Sequence, residues 1–239
     1  MTLPDGPLIV QSDRTVLLEV AHPAAEDARH DLSVFAELER VVKSYGFKAV
    51  EIGTSIEGAQ LAEERFRPLL RRASELGVFV FAHPYYVGAK AGLESYYLTN
   101  LIGNPLDTTV MIANLMFSGR LDELPDLKIV LAHGGGFLPY QIGRLVHGHK
   151  VRGETHQHSK TSPKDLIKRI YFDSLVFEPQ ALRYLIDLVG ADHVCIGTDA
   201  PFDMGDEQPT TTVDAIAGIT PMERQCVCCG TALKLLCEG

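Results

Sequence analysis

The sequence predicts an α/β protein built on a mainly parallel sheet, and three observations carry that expectation. Short apolar runs alternate with segments of helical periodicity along most of the chain. The runs are apolar almost without interruption, as strands covered on both faces are. Polar residues suited to chemistry follow several of the runs directly. A (β/α)-type barrel and an open doubly wound sheet both meet these conditions.

The elements follow in order. Residues 15–20 (TVLLEV) form the first expected strand. Asp31 can cap a helix whose apolar positions Val34, Phe35, Leu38, Val41 and Val42 recur at helical spacing, with Gly46 placed to end it. Residues 49–52 (AVEI) read as a second strand. Helical character at 68–76 is closed by Gly77 and followed at once by a third strand at 78–82. Asn104-Pro105 pairs a cap with a first-turn proline and opens a helix through Met116. Residues 128–132, 170–172 and 194–196 supply three more strands, and Pro179 opens a helix to about Leu188. Thr220-Pro221 caps the last helix, on which Cys226 and Cys229 share one face and are expected in the core. Six strands fall short of the eight of a closed barrel. Residues 8–10 are too short to stand in for another, so the fold is expected to be incomplete or rearranged at the N-terminus.

No internal repeat, low-complexity run or flexible linker interrupts the 239 residues. A single domain over 1–239 is expected, with 1–14 as an irregular N-terminal segment; barrels of roughly this size occur as one unit. Hydrophobic residues at 46% and charged residues at 22% exclude global disorder. A net charge of −9 argues against a nucleic-acid or anionic-membrane partner, since both require clustered cations. No run approaches the ~18 apolar residues of a membrane span, and no charged-then-apolar leader opens the sequence. Five cysteines, three of them crowded, read as reduced thiols of a soluble cytoplasmic protein.

The ends of the expected strands carry the functional signal. The third runs into His83-Pro84, the fourth into His133-Gly134-Gly135-Gly136, the fifth into Asp173-Ser174 and the sixth into Gly197-Thr198-Asp199. In parallel α/β folds that end of the sheet is where chemistry is built. Any one of these residues is accounted for as a polar cap of the following helix, but capping does not call for histidine twice. Imidazoles and carboxylates converging on one mouth suit a borderline divalent ion such as Zn²⁺ with an open position. The triple glycine permits a close turn and a close approach to a ligand.

The segments HPYY (83–86), NPLDTT (104–109), AHGGGFLPYQIGRLVHGHKVR (132–152), YFDSLVFEP (171–179) and GTDAPFDMGDEQP (197–209) resemble the amidohydrolase-related family. The similarity is to the branch typified by aminocarboxymuconate semialdehyde decarboxylase and runs over about 15–236. It implies a TIM-barrel-like (β/α) metal-dependent hydrolase fold, with His83 and Asp199 as metal ligands. It further implies that His133 moves protons beside the metal, and that Arg144 crosses a homodimer interface to hold a substrate carboxylate. Arg152 is a weaker match to the same role. The sequence departs from the family pattern in having no His-x-His before His83, where the family takes two further ligands. His22 or Glu51 could replace them, or be a loop histidine and a solvated charge. His156 and His158 read as a polar loop. Phe177 stands where relatives often carry histidine, leaving that side of the site more apolar.

The expected activity is metal-dependent carbon–carbon bond cleavage, a decarboxylation of a small unsaturated or aromatic carboxylate. Hydrolysis of a small carbonyl or lactone substrate is the alternative that uses the same groups. A non-catalytic binding or regulatory homologue is the reading favoured by the missing His-x-His, because two protein ligands hold Zn²⁺ poorly.

Overall fold

The structure is a computed structural model that describes residues 9–12, 15–18, 28–56, 58–85, 88 and 91–237, with only the backbone described for 9–12, 15–18 and 28–35. Its sheet contains β1 (Ile9–Ser12), β2 (Thr15–Leu18), β3 (Ala49–Gly53), β6 (Phe79–His83), β7 (Lys128–Leu131), β8 (Tyr171–Asp173) and β9 (Val194–Cys195), side by side in that order. The strands from β2 to β9 pair in parallel, and β1 pairs antiparallel with β2. All six expected strands are therefore present. A separate two-strand hairpin, β4 (Ser55–Ile56) with β5 (Ala59–Gln60), follows β3.

Two expectations at the N-terminus are corrected. Residues 9–12 are not irregular but form β1, because antiparallel pairing needs only a tight turn and no crossover. The first helix, α1 (Ala28–Tyr45), begins before Asp31, which lies inside it and is not its cap. Its end is as expected: Gly46 has φ +72°, a conformation open to glycine at little cost.

Strand alternation separates two faces. Val50, Ile52, Val80, Ala82, Ile129, Leu131, Phe172 and Val194 point into the main core. There they meet α2 (Arg67–Glu75) through Leu69 and Leu70, α3 (Asn104–Phe117) through Met111, Ile112, Leu115 and Met116, and α8 (Pro179–Val189) through Leu182, Leu185 and Ile186. Phe79, Phe81, Val130, Tyr171 and Cys195 point the other way, with Leu235 of the C-terminal helix. The large helical layer lies on one face only, as in a barrel and unlike a doubly wound sheet. His83 and Asp173 have the parity of Phe81 and Tyr171, so the inner face carries them.

Among the remaining helices, α4 (Arg120–Glu123), α6 (Gly153–His156), α7 (Pro163–Leu166) and α9 (Thr210–Asp214) are single turns, and α5 (Leu138–Val151) follows the triple glycine. Asn104 is not a cap: a π-helical turn over Thr99–Gly103 runs straight into α3, and Asn104 itself is helical. Thr220 does cap α10 (Pro221–Gln225), in a reciprocal box with Glu223. A second π-helical turn, Cys226–Gly230, then leads into α11 (Thr231–Cys237). That wider turn shifts the buried face, so Val227 is buried while Cys229 is exposed and Cys226 only half-buried, against the regular-helix expectation. No helix among the described residues is long and apolar enough to cross a membrane.

Candidate active site

His83 ends β6, His133 follows β7, and Asp199 follows β9. The structure brings them together: His83 Nε2 lies 3.1 Å from Asp199 Oδ1, and His133 Nε2 lies 3.6 Å from Asp199 Oδ2. The imidazole centroids are 5.1 Å apart. One donor atom from each of the three lies within 4.8 Å of the other two, and no other group of three such residues occurs among the described residues. Two nitrogens and one carboxylate oxygen at that separation fit a divalent ion. The Nδ1 atoms of both histidines are buried without a hydrogen-bond partner, so neither ring is committed elsewhere by its second nitrogen.

Two of the three residues, and Phe177 nearby, sit in left-handed backbone conformations. His133 has φ +55°, Phe177 +56° and Asp199 +53°, values that non-glycine residues adopt at a cost of ~1–3 kcal/mol. The surroundings impose them. Asp173, at the end of β8, accepts hydrogen bonds from the backbone N–H of His133 (2.9 Å), Gly134 (2.7 Å) and Leu175 (3.1 Å). Its carboxylate thus closes the turn after β7 from the neighbouring strand. Gly136 faces Pro105 of α3 so closely that a Cβ would run into the Pro105 carbonyl, which explains the third glycine of the run. Thr109 fixes the same corner, donating to the Pro105 carbonyl and accepting from the Phe137 N–H.

The electrostatics follow from this packing. Burial disfavours charge on His133, but the Asp199 hydrogen bond and the negative charges of Asp173 and Asp199 outweigh it and raise the imidazole pKa. Burial also acts upward on Asp199, yet hydrogen bonds from His133 and His83 and their charges hold it well below the usual carboxylate range. Asp173 lies deeper, and burial pushes its carboxyl up against the opposing pull of His133 and the three N–H donors. The surroundings thus favour the protonated form of His133 and the ionised form of Asp199.

A cavity of about 340 Å³ opens beside His133 and Asp199. Its walls are largely apolar, with Leu175, Val176, Phe177 and Met204, and its polar lining outside the triad includes Asn100 and Asn104. Phe202 stacks on the His83 ring, centroids 6.0 Å apart and planes 8° from parallel. Phe177 lines the cavity as expected and makes that side apolar.

The other candidates fall out differently. Glu51 Oε1 lies 4.0 Å from His83 Nδ1, behind the ring and outside the group of three. At that distance Glu51 makes no hydrogen bond to the His83 ring. His22 lies outside the described residues. Arg144 is exposed on α5 and makes no ion pair among the described residues. Arg152 pairs with Glu154 at 2.6 Å and is exposed. His156 gives Nδ1 to the His149 carbonyl and does not approach the site. Sequence reasoning missed Asn100, Phe202 and the backbone-holding role of Asp173. Only the last had a signal, an aspartate ending an apolar strand beside the glycine run.

A barrel-like parallel sheet with two histidines and an aspartate at one mouth defines a class of metal-site α/β proteins. The chain belongs to the amidohydrolase family, whose sequence model, described as Amidohydrolase, matches residues 19–236. It is 32% identical over 205 residues to 2-amino-3-carboxymuconate-6-semialdehyde decarboxylase of Dictyostelium discoideum, in a match covering 85% of this chain and 57% of that protein. The chain therefore spans little more than half the length of that relative. The fold is similar to the crystal structure of 5-carboxyvanillate decarboxylase from Sphingomonas paucimobilis, with TM-score 0.79, 23% identity, and 87% of this chain and 64% of that one covered. It is also similar to dihydroxybenzoic acid decarboxylase from Polaromonas sp. JS666 with bound manganese and the inhibitor 2-nitroresorcinol, at TM-score 0.77 and 24% identity, covering 86% and 65%. The family and branch expected from the motifs are those found, and the barrel-like fold agrees.

Proposed function

We propose that this chain acts in a divalent-metal-dependent decarboxylase for a small unsaturated or aromatic carboxylate. The observation that carries the proposal is the convergence of His83, His133 and Asp199 beside an apolar cavity large enough for such a molecule. The relatives named above, by the activities in their names, support the same reaction class.

In this reading His83 and Asp199 hold the ion, and His133, within reach of it, serves the reacting carbon. A bound divalent ion supplies Lewis acidity toward a substrate oxygen. The donor set favours zinc, while the Polaromonas protein holds manganese, so both belong in the assay. Asp199 and Asp173 favour the protonated form of His133, which suits it to carry a proton. As the carbon–carboxylate bond breaks, its electron pair stays on the substrate carbon and CO₂ leaves. His133 delivers its proton to that carbon, and Asp199 keeps the ring aligned for the next proton. The leucine, valine and phenylalanine walls exclude water from the developing carbanion.

Arg144, exposed and without an ion pair among the described residues, is proposed to reach a substrate carboxylate in the neighbouring subunit of a homodimer, in a cytoplasmic enzyme. The test is CO₂ release from hydroxylated and unsaturated carboxylates in the presence of zinc or manganese. His133→Ala is expected to be inactive. Mixing it with Arg144→Ala restores part of the activity if the site is composite and leaves both dead if Arg144 acts within one chain, while an Arg144→Ala variant as active as wild type shows that Arg144 has no role. Hydrolysis of a lactone without CO₂ release from any acid would reject the decarboxylase reading.

A further inference from the structure

The cavity beside His133 has polar lining groups that the reaction as described does not use. Asn100, in the π-helical turn before α3, and Asn104, four residues on, both line it. That spacing stacks them on one side of a continuous helical run. Both are half-buried, and neither amide side chain has a hydrogen-bond partner among the described residues. The lining they share includes Leu175, Val176, Phe177 and Met204. Amides left open in a largely apolar cleft are groups that fix a ligand's orientation and select its substituents.

We infer that Asn100 and Asn104 are specificity-determining residues that hydrogen-bond a neutral ring substituent, a hydroxyl above all, on a flat carboxylate bound at His133 and Asp199. This deepens the decarboxylase reading and rests on it for the position of the reacting carboxylate. The chemistry points to a hydroxyl in particular. An amide presents both a donor and an acceptor, and a hydroxyl answers both. The apolar part of the lining accepts the ring face. The two asparagines are thus the residues that separate hydroxylated acids from their deoxy counterparts.

The experiment is calorimetric binding of benzoate and the three monohydroxybenzoates to the metal-loaded protein, followed by the same series with Asn100→Leu and Asn104→Leu. A neutral hydrogen bond in a partly desolvated site changes affinity by about three- to tenfold. At least one hydroxybenzoate is expected to bind the wild-type protein more tightly than benzoate by that factor. The ratio is expected to fall to within twofold in one or both leucine variants. A preference that arises only from chelation of the ion by an ortho-hydroxyl survives both substitutions, and that result overturns the inference. So does equal binding of all four acids, or binding of none. Should a leucine variant fail to fold by circular dichroism, the alanine variant at the same position carries the same comparison. The two readings fail separately. An intact, asparagine-dependent hydroxyl preference with no CO₂ released from any acid rejects the decarboxylase, while CO₂ release with no preference rejects the role of the asparagines.

Discussion

Replacing Asp173 with alanine is expected to destabilise the protein by about 3 kcal/mol, because this one carboxylate satisfies three buried backbone donors. A buried N–H left without a partner costs ~1–3 kcal/mol, so three bracket the loss at roughly 3–9 kcal/mol. Water entering the space left by the carboxylate repairs part of it, which places the expectation at the lower end. Asp173→Asn keeps one acceptor oxygen for Gly134 and Leu175 but turns an amide toward the His133 N–H, so its loss should be smaller. Urea unfolding at pH 7, followed by circular dichroism, measures both. With a urea slope of ~1–3 kcal/mol per molar, the alanine midpoint should fall by about 1 M or more, with the asparagine midpoint between it and wild type. An alanine variant unfolding at the wild-type midpoint would refute the account of how the β7–α5 turn is held.

Two further outcomes follow from groups away from the mouth. Burial acts upward on Glu123, but hydrogen bonds from Arg71, Arg67 and Arg120 prevail and lower its pKa from 4.5 to about 2. Its stabilising effect is therefore complete above pH 4.5 and lost as pH falls toward about 2, so the stability gap between wild type and Glu123→Gln should narrow from pH 5 to pH 3. A gap that stays constant over that range rules the linkage out. Burial, with the Asp173 charge, pushes the Cys195 thiol up to about 12, whereas Cys229 and Cys237 are exposed. An aromatic disulfide reagent at pH 8 should label the exposed pair first and the half-buried Cys195 more slowly, and labelling of Cys195 as fast as the exposed pair would contradict its raised pKa.

The strands were legible because each is a short apolar run, and their order follows from parallel pairing. The three-residue site was legible because His83, His133 and Asp199 directly follow such runs. What was hidden depended on contacts distant in sequence or on unusual helical turns. The π-helical turns at Thr99–Gly103 and Cys226–Gly230 leave no mark in a 3.6-residue pattern, so Asn104 looked like a cap and Cys226 and Cys229 like core. Asp173 read as another group at the mouth, and only the fold shows its oxygens turned onto the backbone of a neighbouring loop. Phe202 on His83 joins residues 119 positions apart, a pairing no local pattern encodes.

The central claim is that His83 and Asp199, with His133 beside them, hold one divalent ion. Elemental analysis after dialysis against zinc or manganese, on wild type and on His83→Ala and Asp199→Ala, tests it most directly. Close to one ion per wild-type chain is expected, with retention at least about tenfold weaker in each variant, since each removes one of the two ligands. Wild-type protein that takes up neither ion, or variants that keep it as well as wild type, would contradict the account.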